Sequence, residues 1–143
     1  MIRVRLVIDT NILIAALLRD STTRRILMTA PIEFVAPPHV FQELLEHIAE
    51  IKKRARIPFE QLHEVLKLLH DNVGPVEIDT VPDALGEARR IIGGVDSEDI
   101  PIIAAALSVK CDGIWSEDVH LRKQDQIRIW RTKDLLHFID RPH

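Results

Sequence analysis

The chain has 143 residues, 46% of them hydrophobic and 29% charged, with a formal net charge of −3. That balance suits a globular chain with one sizeable core. It excludes a charge-dominated disordered chain and a protein that grips polynucleotide by bulk positive charge. The longest apolar runs, 7–18 and 100–109, fall short of the roughly 20 residues that span a bilayer, so no transmembrane helix is expected.

Residues Arg3 to Ile8 mix charged and apolar positions and then turn continuously apolar, as a strand does on entering a buried parallel sheet. Asp9 stands at its C-terminal end. An acid this close to the first apolar stretch argues against a signal peptide and makes the cytoplasm the expected compartment. Asn11–Leu18 and Ser21–Thr29 are helical in period, and Ile32–Val35 reads as a short strand.

From His39 to Arg54, Val40, Phe41, Leu44, Leu45, Ile48 and Ile51 recur at helical spacing and predict one helix with one buried stripe. After Pro58, Phe59–His70 repeats the pattern with Leu62, Val65, Leu66 and Leu69, so the two helices are expected to form a hairpin or arm. Gly74-Pro75 ends it, before a predicted short strand Val76-Glu77-Ile78.

Pro82–Ile92 is helical, Gly93-Gly94 breaks it, and Ile100–Lys110 is apolar on nearly every side, which marks a helix buried in the interior. Ile114-Trp115 is a brief strand leading to Ser116-Glu117-Asp118. Ile127–Trp130 and Thr132–Ile139 close the chain as strand then helix. The alternation predicts an α/β sandwich. With no internal repeat, low-complexity tract or linker, residues 1–143 are expected to form a single domain.

Cys111, the one cysteine, forms no internal disulfide, and the seven histidines show no zinc-binding spacing. The basic stretches are local: Lys52-Lys53-Arg54-Ala55-Arg56, Arg24-Arg25 and Arg122-Lys123. Charge runs of this kind serve as solvated helix faces or as nucleic-acid contacts.

The acids at strand ends carry more information, because an open α/β sheet binds ligands at the carboxyl ends of its strands. Asp9 and Asp118 have that position, and Asp99 precedes the buried helix, where the helix N-terminus favours a carboxylate. Each also has a structural explanation. Asp9 can cap the helix starting near Thr10, and Asp118 the segment after it. Asp96, Ser97 and Asp99 are all acceptable caps for the helix that follows. Glu43 shares a polar flank with Glu46 and Glu50, while His39, Glu43 and His47 at i, i+4 and i+8 suggest a weaker, transition-metal alternative.

The segment Val7-Ile8-Asp9-Thr10-Asn11-Ile12 resembles the opening of PIN domains. The match continues in order through Gln42-Glu43-Leu44-Leu45, Asp96-Ser97-Glu98-Asp99-Ile100-Pro101 and Ile114-Trp115-Ser116-Glu117-Asp118, over nearly the whole chain. The Asp-x-x-Asp and Trp-Ser-x-Asp motifs resemble a prokaryotic, often archaeal, subgroup related to VapC toxins. The resemblance implies a three-layer α/β/α sandwich with a central, mainly parallel sheet, and a metal-dependent nuclease acting on RNA. It also implies frequent homodimers and, for toxins, an antitoxin partner.

Carried onto these residues, the resemblance makes Asp9, Glu43, Asp99 and Asp118 the catalytic acids. Asp9, Asp99 and Asp118 would hold the principal Mg2+ or Mn2+ and Glu43 would complete the site. Thr10, Asn11 and Ser116 would orient them, and Asp96 would be a fifth acid. Four converging carboxylates repel by about 1 kcal/mol per close pair in water and about 4 at an effective dielectric of 20, which a bound cation relieves. A dehalogenase-type phosphatase would need a second aspartate where Asn11 stands. The five glycines form neither phosphate-binding pattern. A PIN fold that binds RNA or an antitoxin without cleaving is the remaining alternative.

Overall fold

A computed structural model describes residues 3–18, 21–55, 58–76 and 83–141. Five strands among these residues form one sheet: β1 (Val4–Ile8), β2 (Ile32–Ala36), β3 (Val73–Pro75), β4 (Ile114–Trp115) and β5 (Ile129–Trp130). Their order is β3-β2-β1-β4-β5 and every neighbouring pair is parallel. The central strand ends in Leu6, Val7 and Ile8, all fully buried, as its unbroken apolar run requires.

Among the described residues, eight α-helices surround the sheet: α1 (Thr10–Leu18), α2 (Ser21–Thr29), α3 (Pro38–Glu46), α4 (Ile48–Ala55), α5 (Phe59–Asn72), α6 (Ala84–Ile92), α7 (Ile100–Ser108) and α8 (Thr132–Asp140). The chain moves outward from β1 to β2 to β3, then returns across β1 to β4. Parallel crossovers are right-handed, so this reversal sends α1–α5 to one face and α6–α7 to the other. The packing agrees: α1 touches α2, α3, α4 and α5, while α6 pairs with α7, which lies on β1. The result is the three-layer α/β/α sandwich that was expected.

Four expectations need correction. The helix read as continuous over 39–54 is two, α3 and α4, joined at His47, whose N–H is shared between the carbonyls of Glu43 and Leu44 at 3.2 Å each. The bend lets both pieces lie on α1. Leu45, assigned to the buried stripe, is 63% exposed, whereas Val40, Leu44 and Ile51 are buried.

The second half of the supposed arm does not project, because α5 packs on α1 and α2 and buries Leu62 and Leu69. The third strand occupies Val73–Pro75, ahead of the expected 76–78, of which Glu77 and Ile78 lie outside the described residues, as do Pro82 and Arg56. At the sheet edge a proline costs no ladder hydrogen bond, so Gly74-Pro75 belongs to the strand it was expected to precede.

Ahead of β4, Gly113 adopts φ +136°, and its carbonyl accepts the Val7 N–H at 3.0 Å. This turn sets β4 beside β1.

Candidate metal centre

The strand order reverses at β1, so the carboxyl ends of β1 and β4 flank the switch point where open α/β sheets bind ligands. A cleft of about 540 Å³ opens there. Of the fourteen described residues that line it, half are acids, namely Asp9, Glu43, Glu46, Asp96, Glu98, Asp99 and Asp118, and none is lysine or arginine. All four acids singled out in the sequence, and Asp96, therefore meet in one place.

Asp9 follows β1 and uses both of its carboxylate oxygens. Oδ1 accepts the Ile12 N–H at 3.0 Å, capping α1, and Oδ2 accepts the Ser116 hydroxyl. The capping explanation is thus correct without being exclusive. Burial raises the Asp9 carboxyl to about 6, aided by the charges of Asp118 and Glu117 and opposed by its two hydrogen bonds.

Ser116 is fully buried and also accepts the Asp118 N–H at 3.0 Å, so one hydroxyl ties the end of β1 to the loop after β4. Asp118 Oδ1 in turn accepts the His120 N–H at 2.8 Å.

Asp99 directly precedes α7, yet its side chain makes no capping bond. The capping reading fails here because Asp96 takes that work one turn earlier, accepting the Glu98 N–H at 3.0 Å at the start of a 3-10 turn, Ser97–Asp99. Asp99 Oδ2 is left buried with no hydrogen-bond partner among the described residues. Burial, then Asp118, Asp96 and Asp9, push the Asp99 carboxyl up to about 7, with His120 opposing. A buried acceptor without a donor carries a desolvation cost of about 1–3 kcal/mol, more when charged, which a cation would offset.

Ligand atoms of Asp96, Asp99, Asp118 and His120 all lie within 4.8 Å of one another. This tight group differs from the expected one in two members. Asp96 stands inside it, and His120, which the sequence reading passed over, joins it. The available signal was the Asp118-x-His120 spacing. Asp9 and Glu43 line the same cleft from the end of β1 and from α3 without belonging to that group.

Glu43 is exposed and held by the Thr10 hydroxyl at 2.8 Å. Asn11 is exposed where this cleft meets a second one of about 430 Å³ bordered by Thr23, Glu117 and Thr132. The His39–Glu43–His47 alternative forms no ligand group among the described residues.

The arrangement matches what comparison finds. The family model of the PIN domain covers residues 7–137. The chain belongs to the PIN-domain family. No curated protein matches it. PIN domains are generally nucleases that use divalent metals, so the acidic cleft at the switch point is the part of this PIN domain suited to a metal ion and a nucleic-acid phosphate. No helix among the described residues is long and apolar enough to cross a membrane.

Proposed function

We propose that this PIN domain is a divalent-metal-dependent ribonuclease that hydrolyses RNA phosphodiester bonds. The observation that carries the reading is the buried, unpartnered Asp99 Oδ2 within a group of carboxylates that share one small volume. Asp9, Asp99 and Asp118 would hold the principal ion, and Glu43 would extend the site on the α3 side. A donor set dominated by carboxylate oxygens suits Mg2+ or Mn2+ rather than zinc. When bound, such an ion offsets the phosphate's negative charge and makes water a better nucleophile at neutral pH.

The chain's own residues supply position and charge. Ser116 fixes Asp9 and Asp118 relative to each other, and Thr10 fixes Glu43. Asp96 adds a fifth carboxylate, and Asn11 offers an amide at the rim for a sugar or base. Arg122 and Lys123, exposed just past His120, are the basic pair nearest in sequence to the cleft acids and suit phosphate contacts outside it. Arg24 is committed elsewhere, bonding the carbonyls of Ala16 and Leu17.

The test is cleavage of RNA by purified protein with Mg2+ or Mn2+, with and without EDTA, beside Asp9→Asn. The variant should lose at least about a hundredfold in rate, and EDTA should abolish cleavage. Equal cleavage by both proteins would sink the assignment. RNA bound but left intact by the unaltered protein would favour the binding module.

Resemblance of the Trp115–Asp118 ending to VapC toxins supports a toxin role, with an antitoxin as protein partner, a homodimer as the working form and the cytoplasm as compartment. A small antitoxin gene directly upstream would support that role; a solitary gene would leave a stand-alone nuclease.

A further inference from the structure

We propose that His120 is a nitrogen ligand of the metal centre and tilts its preference from Mg2+ towards Mn2+. The proposal rests on the divalent-metal reading above and concerns which ion that site selects. His120 Nδ1 faces two carboxylates at once, 3.5 Å from Asp96 Oδ2 and 3.3 Å from Asp118 Oδ1. With Asp99 these atoms make up the one group of potential ligands within mutual reach among the described residues.

Packing does not explain why an imidazole stands there. The His120 side chain is 47% exposed, and the residue beneath the turn that carries it is Leu121, which is fully buried and anchors the backbone without the ring. The backbone is aimed independently, since the His120 N–H is bonded to Asp118 Oδ1 and the His120 carbonyl accepts the Lys123 N–H at 3.1 Å.

An ordinary ion pair is the rival explanation. Both side-chain contacts exceed the 2.7–3.2 Å of a well-formed N–H···O bond, and a half-exposed pair of this kind adds little stability. The spacing instead leaves room among one nitrogen and three carboxylates for a cation.

The chemical consequence is selectivity. Mg2+ demands hard oxygen ligands and sheds water reluctantly, whereas imidazole is an accepted ligand for first-row transition ions. One nitrogen among carboxylates therefore favours Mn2+ relative to Mg2+. Carboxylates alone would bring the two ions closer together.

The experiment loads the full chain with Mn2+ and records pulsed electron paramagnetic resonance, in which a coordinated imidazole imposes a nitrogen-14 modulation. Calorimetric titrations with Mg2+ and Mn2+ give the affinity ratio. The modulation should be present in the unaltered protein and absent in His120→Ala. It should persist in His39→Ala and His47→Ala, whose imidazoles line the cleft.

The preference for Mn2+ over Mg2+ should fall about tenfold in His120→Ala, with the circular dichroism spectrum unchanged. Bound Mn2+ without nitrogen modulation, or modulation surviving in His120→Ala, overturns the role of His120 and leaves the metal centre standing. Failure of Mn2+ to bind at all overturns both.

Discussion

Ser116 has no exposed surface, and its hydroxyl both donates to Asp9 and accepts from the Asp118 backbone. Ser116→Ala removes one oxygen and strands two polar groups. It should cost about 1–3 kcal/mol of stability, and by freeing Asp9 and Asp118 should weaken metal binding about 10- to 100-fold. Thermal melts and metal titrations check the two effects separately; a variant that loses stability while binding metal unchanged would remove Ser116 from the site.

The sequence made Asp9 and Asp118 legible because strand-end position and motif agree on them. Spacing alone left Asp99 open between cap and site, since three nearby polar residues all suit a helix start; only the backbone geometry gives the cap to Asp96 and leaves Asp99 Oδ2 without a hydrogen-bond partner among the described residues. His120 escaped notice because a ligand two residues from another on a turn has no periodic signature.

At the level of elements, Gly113 is the position where the sheet depends on one residue type. Its φ of +136° lies where side chains are strained, and an added Cβ would stand 2.3 Å from the Arg128 carbonyl and 2.9 Å from the Trp130 ring. Those atoms belong to the approach to β5 and to β5 itself, so they cannot yield without disturbing β4's partner. Gly113→Ala should cost at least about 2 kcal/mol, lowering the melting temperature by roughly 4–8 °C. An unchanged melting temperature would show that the turn relaxes.

Helices were read well where an apolar stripe met a core, as in α1, α5 and α7. Periodicity could not reveal the bend at His47, where the stripe continues across the joint while the backbone shares one N–H between two carbonyls. Nor could it place β3. Three residues ending Gly-Pro look like a terminator until a partner strand is known to lie on one side only.

Across the whole molecule, the raised carboxyls make stability and metal binding depend on pH together. Asp9 near 6 and Asp99 near 7 hold protons in the folded state that the unfolded chain, with carboxyls near 3.8, has released. Between about pH 4 and 7 the metal-free fold therefore binds more protons than the unfolded chain and loses stability as pH rises.

A divalent ion held by these carboxylates, as proposed, would compete with those same protons, so its affinity should climb through this window. Melts with EDTA and with saturating Mn2+ or Mg2+ should differ little near about pH 5 and most near about pH 8. At a hundred times the dissociation constant the gain is about 2.7 kcal/mol. A metal-induced gain independent of pH would contradict this coupling.

The bond between Ser116 and Asp9 joins residues 107 positions apart, through a strand inserted beside the first one made. During synthesis the early acids Asp9 and Glu43 are therefore assembled long before their counterparts exist, and β1 must keep one edge vacant until β4 emerges. Because the cleft draws its acids from both halves of the sequence, it stays incomplete until β4 and the loop after it have been made.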